Sequence, residues 1–415
     1  MKKRVIVAGG GASGLMAAIF AARSGAAVTV LEAMERPGKK LLLTGNGRCN
    51  LTNTDPDLPL AYYGSGAEMA EEIIRRFDAD AVRSFFGELG LLTQEKNGYV
   101  YPYTAQSVSV LEALLTELRR LKVKMKYSEK VTDIRKKENV WTVTTSSWHY
   151  EADSVILACG SKAVPSTGSD GSGYVLAARL GHRLVPAAPA LTAILCRESF
   201  LPLLAGVRCR ARVSLFTKKK DGSLLCEKQD SGELQWTKNG VSGIVVFQLS
   251  RFIRSSSEHG SQYLQIDFLP EFETPYLAQL IRSRAQQLSG EKASVLLTGI
   301  LNDRLIPVIL KCAGLTPKTA CEKLTDPETL TRLLQTVKQF SLTVSGTKSF
   351  DACQVCSGGV DAAEMNHRTL ESRKHKNIYF AGEMVDVDGP CGGYNLQWAW
   401  SSGYTAGRAA AESID

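Results

Sequence analysis

The residues with the clearest chemical meaning are the glycines near the start of the chain. Residues 9–14 are Gly-Gly-Gly-Ala-Ser-Gly, which fits the pattern G-x-G-x-x-G, and they follow the apolar run of residues 5–8. Gly9 permits a tight turn, Gly11 lets the backbone approach a pyrophosphate, and Gly14 lets the following helix pack close to the strand. The N-terminus of that helix offers unpaired N–H groups and a partial positive charge. This spacing predicts a site for the phosphates of a dinucleotide.

Glu32 supplies a second element of the same site. It lies 18 residues beyond Gly14, at the end of the apolar segment 28–31, which predicts a second strand. A carboxylate in this position accepts hydrogen bonds from ribose hydroxyls and disfavours a 2′-phosphate, so NADP is not expected at this site. The order strand, glycine loop, helix and strand is a βαβ unit, which disfavours the alternative of a glycine turn that binds no ligand.

The choice between NAD and FAD depends on the far end of the chain. Residues 377–381 predict a strand that leads into Gly382 and Glu383, and glycines at 389, 392 and 393 precede a helix predicted from Asn395 to about Ser413. A flavin domain takes its second contact from such a distant return to its own sheet, whereas an NAD domain completes its site within its own two halves. The carboxylate would accept from ribityl hydroxyls, and the positive helix end would face the flavin N1–C2=O region. We therefore expect FAD.

Longer stretches of the sequence carry a family resemblance. They comprise residues 38–53, 99–102, 167–174, 240–243, 381–389 and 392–400. On these stretches the chain resembles the bacterial FAD-dependent oxidoreductases of the aminoacetone-oxidase type, a family that includes a flavoprotein linked to bile-acid dehydroxylation. The resemblance implies a Rossmann-like FAD domain interrupted by an inserted domain that covers the flavin.

The resemblance also assigns individual residues. It places residues 44–50 along the flavin, with Arg48 and Cys49 near the ring as the catalytic candidates, and it implies that Val131 meets the adenine through its backbone. A glycine-rich loop with one arginine suits an anion such as a pyrophosphate or a reduced flavin, although Arg48 pairing with a structural carboxylate is an alternative. The residues predicted to bind the cofactor are Gly9, Gly11, Ala12, Ser13, Gly14, Glu32, Lys40, Thr44, Gly45, Gly47, Arg48, Cys49, Asn50, Val131, Ala158, Gly160, Gly382, Glu383, Gly393, Asn395, Leu396 and Gln397.

Residues 354–360 depart from the family pattern, which has a Thr-Ala-like pair before the glycines. The departure creates a C-x-x-C pair, Cys353 and Cys356. Beside a flavin such a pair can form a redox disulfide, but two small core residues on a strand are the interpretation that we favour from sequence. A zinc site needs a second pair with suitable spacing, which the sequence lacks, so no metal is predicted.

The order of these segments predicts the domain organisation. The fold class is α/β, with a doubly wound, Rossmann-like FAD-binding domain formed by residues 1–190 and 346–415. Residues 191–345 form an inserted cap or substrate domain, with a β part at about 191–272 and a helical part at about 273–340. Within the insertion, residues 210–216, 244–249 and 263–268 predict strands.

Composition fits an ordinary globular enzyme. The 50 Lys and Arg residues against 42 Asp and Glu give a net charge of +8, a mild excess with only short basic runs at 218–220 and 373–376. We therefore predict no nucleic-acid partner. Ten cysteines spread along 415 residues suggest a reducing cytoplasm rather than a disulfide framework. Glycines interrupt the apolar N-terminal stretch, and no apolar run is long enough to span a membrane, so no membrane association is predicted.

We therefore expect a cytoplasmic FAD-dependent oxidoreductase that transfers a hydride between flavin N5 and a small organic substrate. NADH and NADPH are candidate electron donors. The alternatives are an NAD-dependent dehydrogenase and a non-catalytic or RNA-directed flavoprotein. The sequence leaves the substrate and the oligomeric state open.

Overall fold

The computed structural model describes residues 2–254 and 260–412. The described residues divide into two compact units, one that runs to Ala190 and resumes at Phe350, and another formed by Leu191–Ser349. The predicted division after residue 345 is wrong, because the strand Phe340–Thr347 runs through that position and pairs with strands of the second unit. Ser413, where the sequence predicted the last helix to end, lies outside the described residues.

The first unit is organised around a parallel sheet of five strands. Their spatial order is Ile378–Phe380, Ser154–Leu157, Arg4–Ala8, Ala27–Leu31 and Lys124–Lys126. This is the strand order of a Rossmann domain, in which the chain reverses direction across the sheet beside its first strand. Ligands of such sheets bind outside the carboxyl ends of the strands at that reversal, which here lies between Arg4–Ala8 and Ser154–Leu157.

Two helices from opposite ends of the chain pack against each other in this unit. The helix Ala12–Arg23 follows the first strand, and the helix Tyr394–Glu412 closes the described chain. A Cβ at Gly403 would lie 2.5 Å from the Ser13 carbonyl oxygen, and one at Gly407 would lie 2.3 Å from that of Ala17. The two glycines therefore permit a backbone approach that brings the C-terminal segment beside the N-terminal loop.

The remaining elements of the first unit flank the central sheet. Two short helices, Ala67–Arg76 and Ala79–Glu88, follow each other along the chain, and the Asp78 side chain caps the second by accepting from Ala81 N–H. The helices are Lys39–Leu43, Ala67–Arg76, Ala79–Glu88, Ser107–Arg120 and Ser172–Arg179. Three small antiparallel sheets comprise Thr52–Asn53, Tyr99–Pro102 and Thr93–Lys96; Val131–Lys137, Val140–Thr145 and His149–Ala152; and Leu184–Ala190 and Val355–Val360.

The second unit has a core of its own, formed by a closed barrel of six strands and by helices. In spatial order the strands are Ile194–Cys196, Gly240–Ser242, Leu224–Thr237, Arg208–Lys218, Ser261–Asp267 and Phe340–Thr347. Val213, Trp236 and Leu264 are among its fully buried residues. The helices of this unit are Leu201–Leu204, Ile244–Ser250, Thr274–Gln287, Ala293–Leu297, Ile306–Cys312 and Pro327–Lys338.

The segment 244–249 is a helix and not the predicted strand. Its buried residues are Val245, Val246 and Leu249, which share one face of a helix. A short apolar run fits a buried strand and a buried helix equally well by its periodicity, and β-branched residues favour the strand. Gly243, at a φ of 102°, starts the helix in a backbone conformation that other residues rarely adopt.

Within residues 2–254 and 260–412, the structure contains no helix that is both long and apolar enough to cross a membrane.

Candidate functional site

The glycines of the loop at the end of the first strand have two different roles: two are required by packing and one faces open space. A Cβ at Gly9 would lie 2.3 Å from the Ala158 carbonyl oxygen, and one at Gly14 would lie 2.0 Å from the Gly9 carbonyl oxygen. Packing within the protein therefore requires both glycines. Gly11 has an ordinary φ of −82°, and a Cβ there would meet no described atom within 4 Å. The space in front of Gly11 is where a pyrophosphate would fit, as the sequence predicted.

The helix that follows presents its N-terminus to the same space. Gly11 is its N-cap residue and provides no side-chain cap, and the first turn of the helix has no acidic residue. The N–H groups of the first turn, which includes Ala12 and Ser13, are thus not neutralised by a capping carboxylate or hydroxyl. A helix end of this kind is suited to an anion.

Glu32 is held in place by the loop that it follows. Its Oε2 accepts a hydrogen bond of 2.7 Å from Gly10 N–H, and its Oε1 accepts one of 2.8 Å from Met34 N–H. Burial raises the pKa of this carboxyl, and these two backbone N–H groups oppose the shift. Each carboxylate oxygen has a second acceptor direction, so the geometry remains compatible with the predicted bonds from ribose hydroxyls.

The other residues predicted at the adenosine end lie at the same edge of the sheet. Glu129 N–H donates to the Glu32 carbonyl oxygen over 2.8 Å, which holds the chain just before Val131 beside Glu32. Ala158 N–H donates to the Ala8 carbonyl oxygen, and Gly160 follows with a φ of 76°. The structure therefore brings together residues that the sequence placed up to about 150 positions apart.

The loop of residues 44–50 adopts an unusual backbone. Gly45, Asn46, Gly47 and Cys49 all have positive φ, at 58°, 55°, 81° and 60°. For Asn46 and Cys49 this conformation is strained, and strain of this kind concentrates at ligand-binding sites. The Thr44 hydroxyl stabilises the start of the loop by donating to the Leu41 carbonyl oxygen over 2.6 Å.

The two catalytic candidates in this loop differ in their exposure to solvent. Arg48 is exposed, its Nε donates to the Gly45 carbonyl oxygen, and its guanidinium lies 5.2 Å from the ring centre of Tyr101. It has no carboxylate partner among the described residues, so the alternative of a structural ion pair is not supported. Cys49 is fully buried, and burial raises the pKa of its thiol to about 12. A side chain without exposed surface has no face to offer a ligand, so the geometry favours Arg48 over Cys49 as the catalytic side chain, and the assignment of Cys49 to the cofactor site stays a prediction.

Lys40 and Glu383, predicted from opposite ends of the chain, form one cluster with a third residue. Glu383 Oε2 accepts from Lys40 Nζ over 2.6 Å and from Ser161 Oγ over 2.7 Å. Both bonds go to the same oxygen, which leaves Oε1 for a hydroxyl donor such as that of a ribityl chain. Sequence reasoning missed Ser161; its position directly after Gly160, at the end of a sheet strand, was the available signal.

The C-terminal loop packs against the loop of residues 44–50. A Cβ at Gly393, whose φ is 100°, would lie 2.5 Å from the Thr52 carbonyl oxygen and 3.0 Å from Asn50 Oδ1. Asn50 is buried, and within the described ranges its Oδ1 is an acceptor without a hydrogen-bond partner. Such an orphaned acceptor suits a ring N–H donor, and flavin N3–H is one. The described residues therefore fit FAD at both the pyrophosphate end and the ring end.

Three residues that were predicted to bind the cofactor lie in the last helix, and their side chains contact other parts of the protein. The Gln397 amide is fully buried and bonds to Thr52, Phe77 and Ser401. The Asn395 side chain bonds to the backbone of Gly389 and Pro390. Leu396 is half-buried against the core of the first unit. The side chains of Asn395 and Gln397 thus hold the loop in place, and the contact of these residues with the cofactor stays a prediction.

A tyrosine pair adds to the site. Tyr99 and Tyr101 lie on the strand Tyr99–Pro102, and a Cβ at Gly392 would lie 2.6 Å from Tyr99 Cε1. Tyr101 is half-buried and lies under Arg48. The sequence had marked this strand as part of the resemblance without giving it a role. The structure makes Tyr101 the phenol beside the exposed cation of the site.

Comparisons with known proteins agree with this geometry. The chain is 42% identical over 412 residues to a 3-dehydro-bile acid delta(4,6)-reductase of Clostridium scindens, with 99% of each chain covered. It is 26% and 27% identical to ribosomal RNA dihydrouridine synthases of Haemophilus influenzae and Escherichia coli, with 96% of each chain covered. A 3-ketosteroid-delta4-(5alpha)-dehydrogenase from Rhodococcus jostii has a similar fold, with a TM-score of 0.50 at 16% identity, over 99% of this chain and 97% of that one.

The model of the HI0933-like protein Rossmann domain matches residues 3–409, nearly the whole chain. The aminoacetone-oxidase type is not specifically supported by these matches. With the Rossmann sheet and the cofactor cradle, they confirm the prediction of an FAD-dependent oxidoreductase. The chain is thus a member of the HI0933-like Rossmann-domain family.

Proposed function

We propose that this protein reduces a carbon–carbon double bond conjugated to a carbonyl group in a small organic substrate. The observation that carries the proposal is the exposed Arg48, with no carboxylate partner in the described chain, over the Tyr101 ring at the ring end of the site. A cation beside a phenol suits a reaction that develops negative charge on a carbonyl oxygen and then needs a proton. The relatives support the same class, since a delta(4,6)-reductase and a dihydrouridine synthase are both named for saturating such a bond.

In this proposal the chain's residues divide the work between holding the cofactor and stabilising charge. FAD, when bound and reduced, supplies the hydride from N5. The glycine loop and Glu32 hold the adenosine diphosphate half, and Glu383 and Asn50 hold the ribityl chain and the ring. Arg48 stabilises the negative charge on the substrate's carbonyl oxygen, and the Tyr101 hydroxyl donates the proton to the α carbon.

We also propose that residues 191–349 select the substrate. All the cofactor motifs lie outside this segment, and its barrel has a core of its own. Replacing residues 191–349 by a short Gly/Ser linker should leave a protein that still binds FAD, more weakly, but has lost substrate-dependent turnover. Wild-type turnover in that variant would contradict this assignment, and complete loss of FAD would mean that the cofactor site extends into the segment.

A second candidate function is reduction of uridine in RNA. The positive charge of residues 191–349 would suit the phosphates of such a substrate. Residues 191–349 contain 21 Lys and Arg against 14 Asp and Glu, a net charge of +7, while the rest of the chain has 29 against 28. The relatives named for ribosomal RNA are less similar than the bile-acid enzyme, so the small substrate stays our first choice. Salt-dependent retention of RNA would favour the second candidate, because contacts to phosphates release counterions.

The test compares substrates on one holoenzyme. The purified protein would be reduced anaerobically with NADH or NADPH, our proposed donors, and mixed with a 3-oxo-4-ene steroid, 2-cyclohexenone or a uridine oligonucleotide. In a separate sample the oxidised holoenzyme would be mixed anaerobically with aminoacetone. We expect the steroid or the cyclic enone to reoxidise the flavin and to gain two hydrogens by mass. Reoxidation by the oligonucleotide alone would favour the RNA candidate. Reduction of the oxidised flavin by aminoacetone, with no response to enones, would overturn the proposal in favour of an amine oxidase.

A further inference from the structure

Two large apolar side chains lie side by side on the surface of the first unit, just beyond the strand Tyr99–Pro102. Leu92 is 73% exposed and Tyr103 is 68% exposed. Tyr103 N–H donates to the Leu92 carbonyl oxygen over 2.8 Å, which continues the strand pairing one position past Thr93 and Pro102. Residues directly opposite each other in an antiparallel pair lie on the same face. Leu92 and Tyr103 therefore form one exposed apolar patch, the Leu92–Tyr103 patch.

The patch lies on the same face of its sheet as Tyr101. Alternate residues of a strand point to opposite faces, and two residues span about 7 Å along it. Val100 and Pro102 are buried on one face, while Tyr101 is half-buried and Tyr103 is exposed on the other. The patch thus begins about one such step from the phenol that lies under Arg48.

The polarity of this face changes along its length. At Tyr101 the face is polar, because the Arg48 guanidinium lies 5.2 Å from the ring centre and Gln94 is the residue opposite Tyr101. At the next position on the same face, Leu92 and Tyr103 present a hydrocarbon side chain and an aromatic ring. The face therefore matches a molecule that has a carbonyl group at one end and a hydrocarbon body at the other.

We propose that the Leu92–Tyr103 patch is a subsite for the hydrocarbon rings of a polycyclic enone whose carbonyl oxygen lies at Arg48. The proposal rests on the proposed function, which places the carbonyl at Arg48, and it adds a preference for fused rings over a single ring. Fused rings that extend along the strand from Arg48 cover the patch. Removal of this apolar surface from water then adds to the affinity for the substrate.

The size of the patch favours a small ligand over a protein partner. A stable protein interface buries about 800 Å² on each side, far more than two side chains supply. Exposed polar residues border the patch, among them Gln94, Glu95 and Thr104. An isolated exposed apolar residue is ordinary, but an apolar pair that continues the face of a candidate active site is the kind of surface that binds a ligand.

The test measures steroid binding to the oxidised holoenzyme, so it needs no turnover. Equilibrium dialysis with a 3-oxo-4-ene steroid gives the Kd for the wild type and each variant. We expect Leu92→Ser/Tyr103→Ser to raise this Kd about tenfold, and Tyr103→Phe, which keeps the ring, to stay within about twofold. Val175→Ser is the matched control and should equal the wild type, because Val175 is 50% exposed on the helix Ser172–Arg179 of the same unit.

The subsite makes a wrong result easy to recognise. An unchanged steroid Kd in the double serine variant would overturn the proposal, and so would a wild-type holoenzyme that does not bind the steroid. Size-exclusion chromatography covers the other possible occupant, a second copy of the chain. A change of oligomeric state in the double serine variant, with the steroid Kd unchanged, would make the patch a contact between copies and overturn the subsite.

Turnover separates this proposal from the proposed function. In the double serine variant, the ratio of kcat/KM for the steroid to kcat/KM for 2-cyclohexenone should fall about tenfold. Steroid binding that depends on the patch, without reduction of either enone, would leave the subsite standing and contradict the proposed function. Reduction of both enones with an unchanged ratio and an unchanged steroid Kd would support the function and overturn the subsite.

Discussion

The two ends of the cofactor site differ in what holds the ligand. At the adenosine end, the features that matter belong to the backbone: a turn at Gly9, open space at Gly11 and an uncapped helix N-terminus. At the flavin end, whether a residue can contact the ligand depends on the direction of its side chain. The neighbours Arg48 and Cys49 differ in this respect, because Arg48 is exposed and Cys49 is buried. A motif therefore predicts function well where the backbone performs it, and less well where side-chain orientation does.

The largest effect should come from a side chain in the open space of the glycine loop. Gly11→Asp places a carboxylate where the pyrophosphate would lie, so we expect FAD affinity to fall by more than about 100-fold. Reconstitution of the apoprotein, followed by flavin fluorescence, measures this loss. Gly87→Asp is the matched control, because Gly87 also has no atom near its Cβ position but is exposed on the helix Ala79–Glu88. Full flavin occupancy in the Gly11 variant would contradict the assignment of the adenosine end.

At the flavin end, Arg48→Ala should lower turnover by about 100-fold, the usual effect of removing one donor that stabilises developing charge. FAD affinity should change by only a few-fold, since we propose that Arg48 lies at the ring and not at the phosphates. Steady-state kinetics and reconstitution separate the two effects. Arg119→Ala, on an exposed helix face, should match the wild type in both. Equal losses of turnover and FAD affinity in the Arg48 variant would make this arginine a cofactor anchor rather than a catalytic residue.

Glu32→Ala should weaken FAD binding by about ten- to a hundredfold, because hydrogen bonds to a charged group contribute about 1.5–3 kcal/mol each. Glu32 also accepts from Gly10 and Met34, so Glu32→Gln, which keeps an acceptor oxygen, separates the ribose contact from the support of the loop. The glutamine variant should fall between alanine and wild type in its dissociation constant. An unchanged dissociation constant in both variants would show that Glu32 does not contact the ribose.

The smallest effect should come from Cys49, the neighbour of Arg48. Its thiol is buried with a pKa of about 12, so Cys49→Ala should leave turnover within about twofold and cost about 1 kcal/mol of unfolding free energy. Iodoacetamide at pH 8 should leave Cys49 unmodified in the folded holoenzyme, because the thiolate is scarce at that pH. Mass spectrometry after digestion checks the modification. Rapid alkylation together with loss of activity would return Cys49 to the list of catalytic residues.

The difference between the two ends of the site matches what could and could not be predicted from the sequence. The Rossmann sheet, the glycine loop, Glu32 and the return at Gly382 and Glu383 follow from local patterns that have one physical interpretation. Gln397 could not be assigned in the same way, because its three partners come from segments more than 300 residues distant or from its own helix. The helix at 244–249 was missed because the same apolar run fits both kinds of secondary structure.

The most direct test of the account is a single-turnover experiment on the holoenzyme. The flavin would be reduced anaerobically with NADH or NADPH in deuterium oxide, mixed with a 3-oxo-4-ene steroid, and followed by its own absorbance. We expect reoxidation of the flavin in step with formation of a saturated ketone, and solvent deuterium at the α carbon of that product. We also expect Arg48→Ala to slow this step while the flavin stays bound. A reduced flavin that no conjugated enone reoxidises, in a protein that holds FAD tightly, would contradict the account.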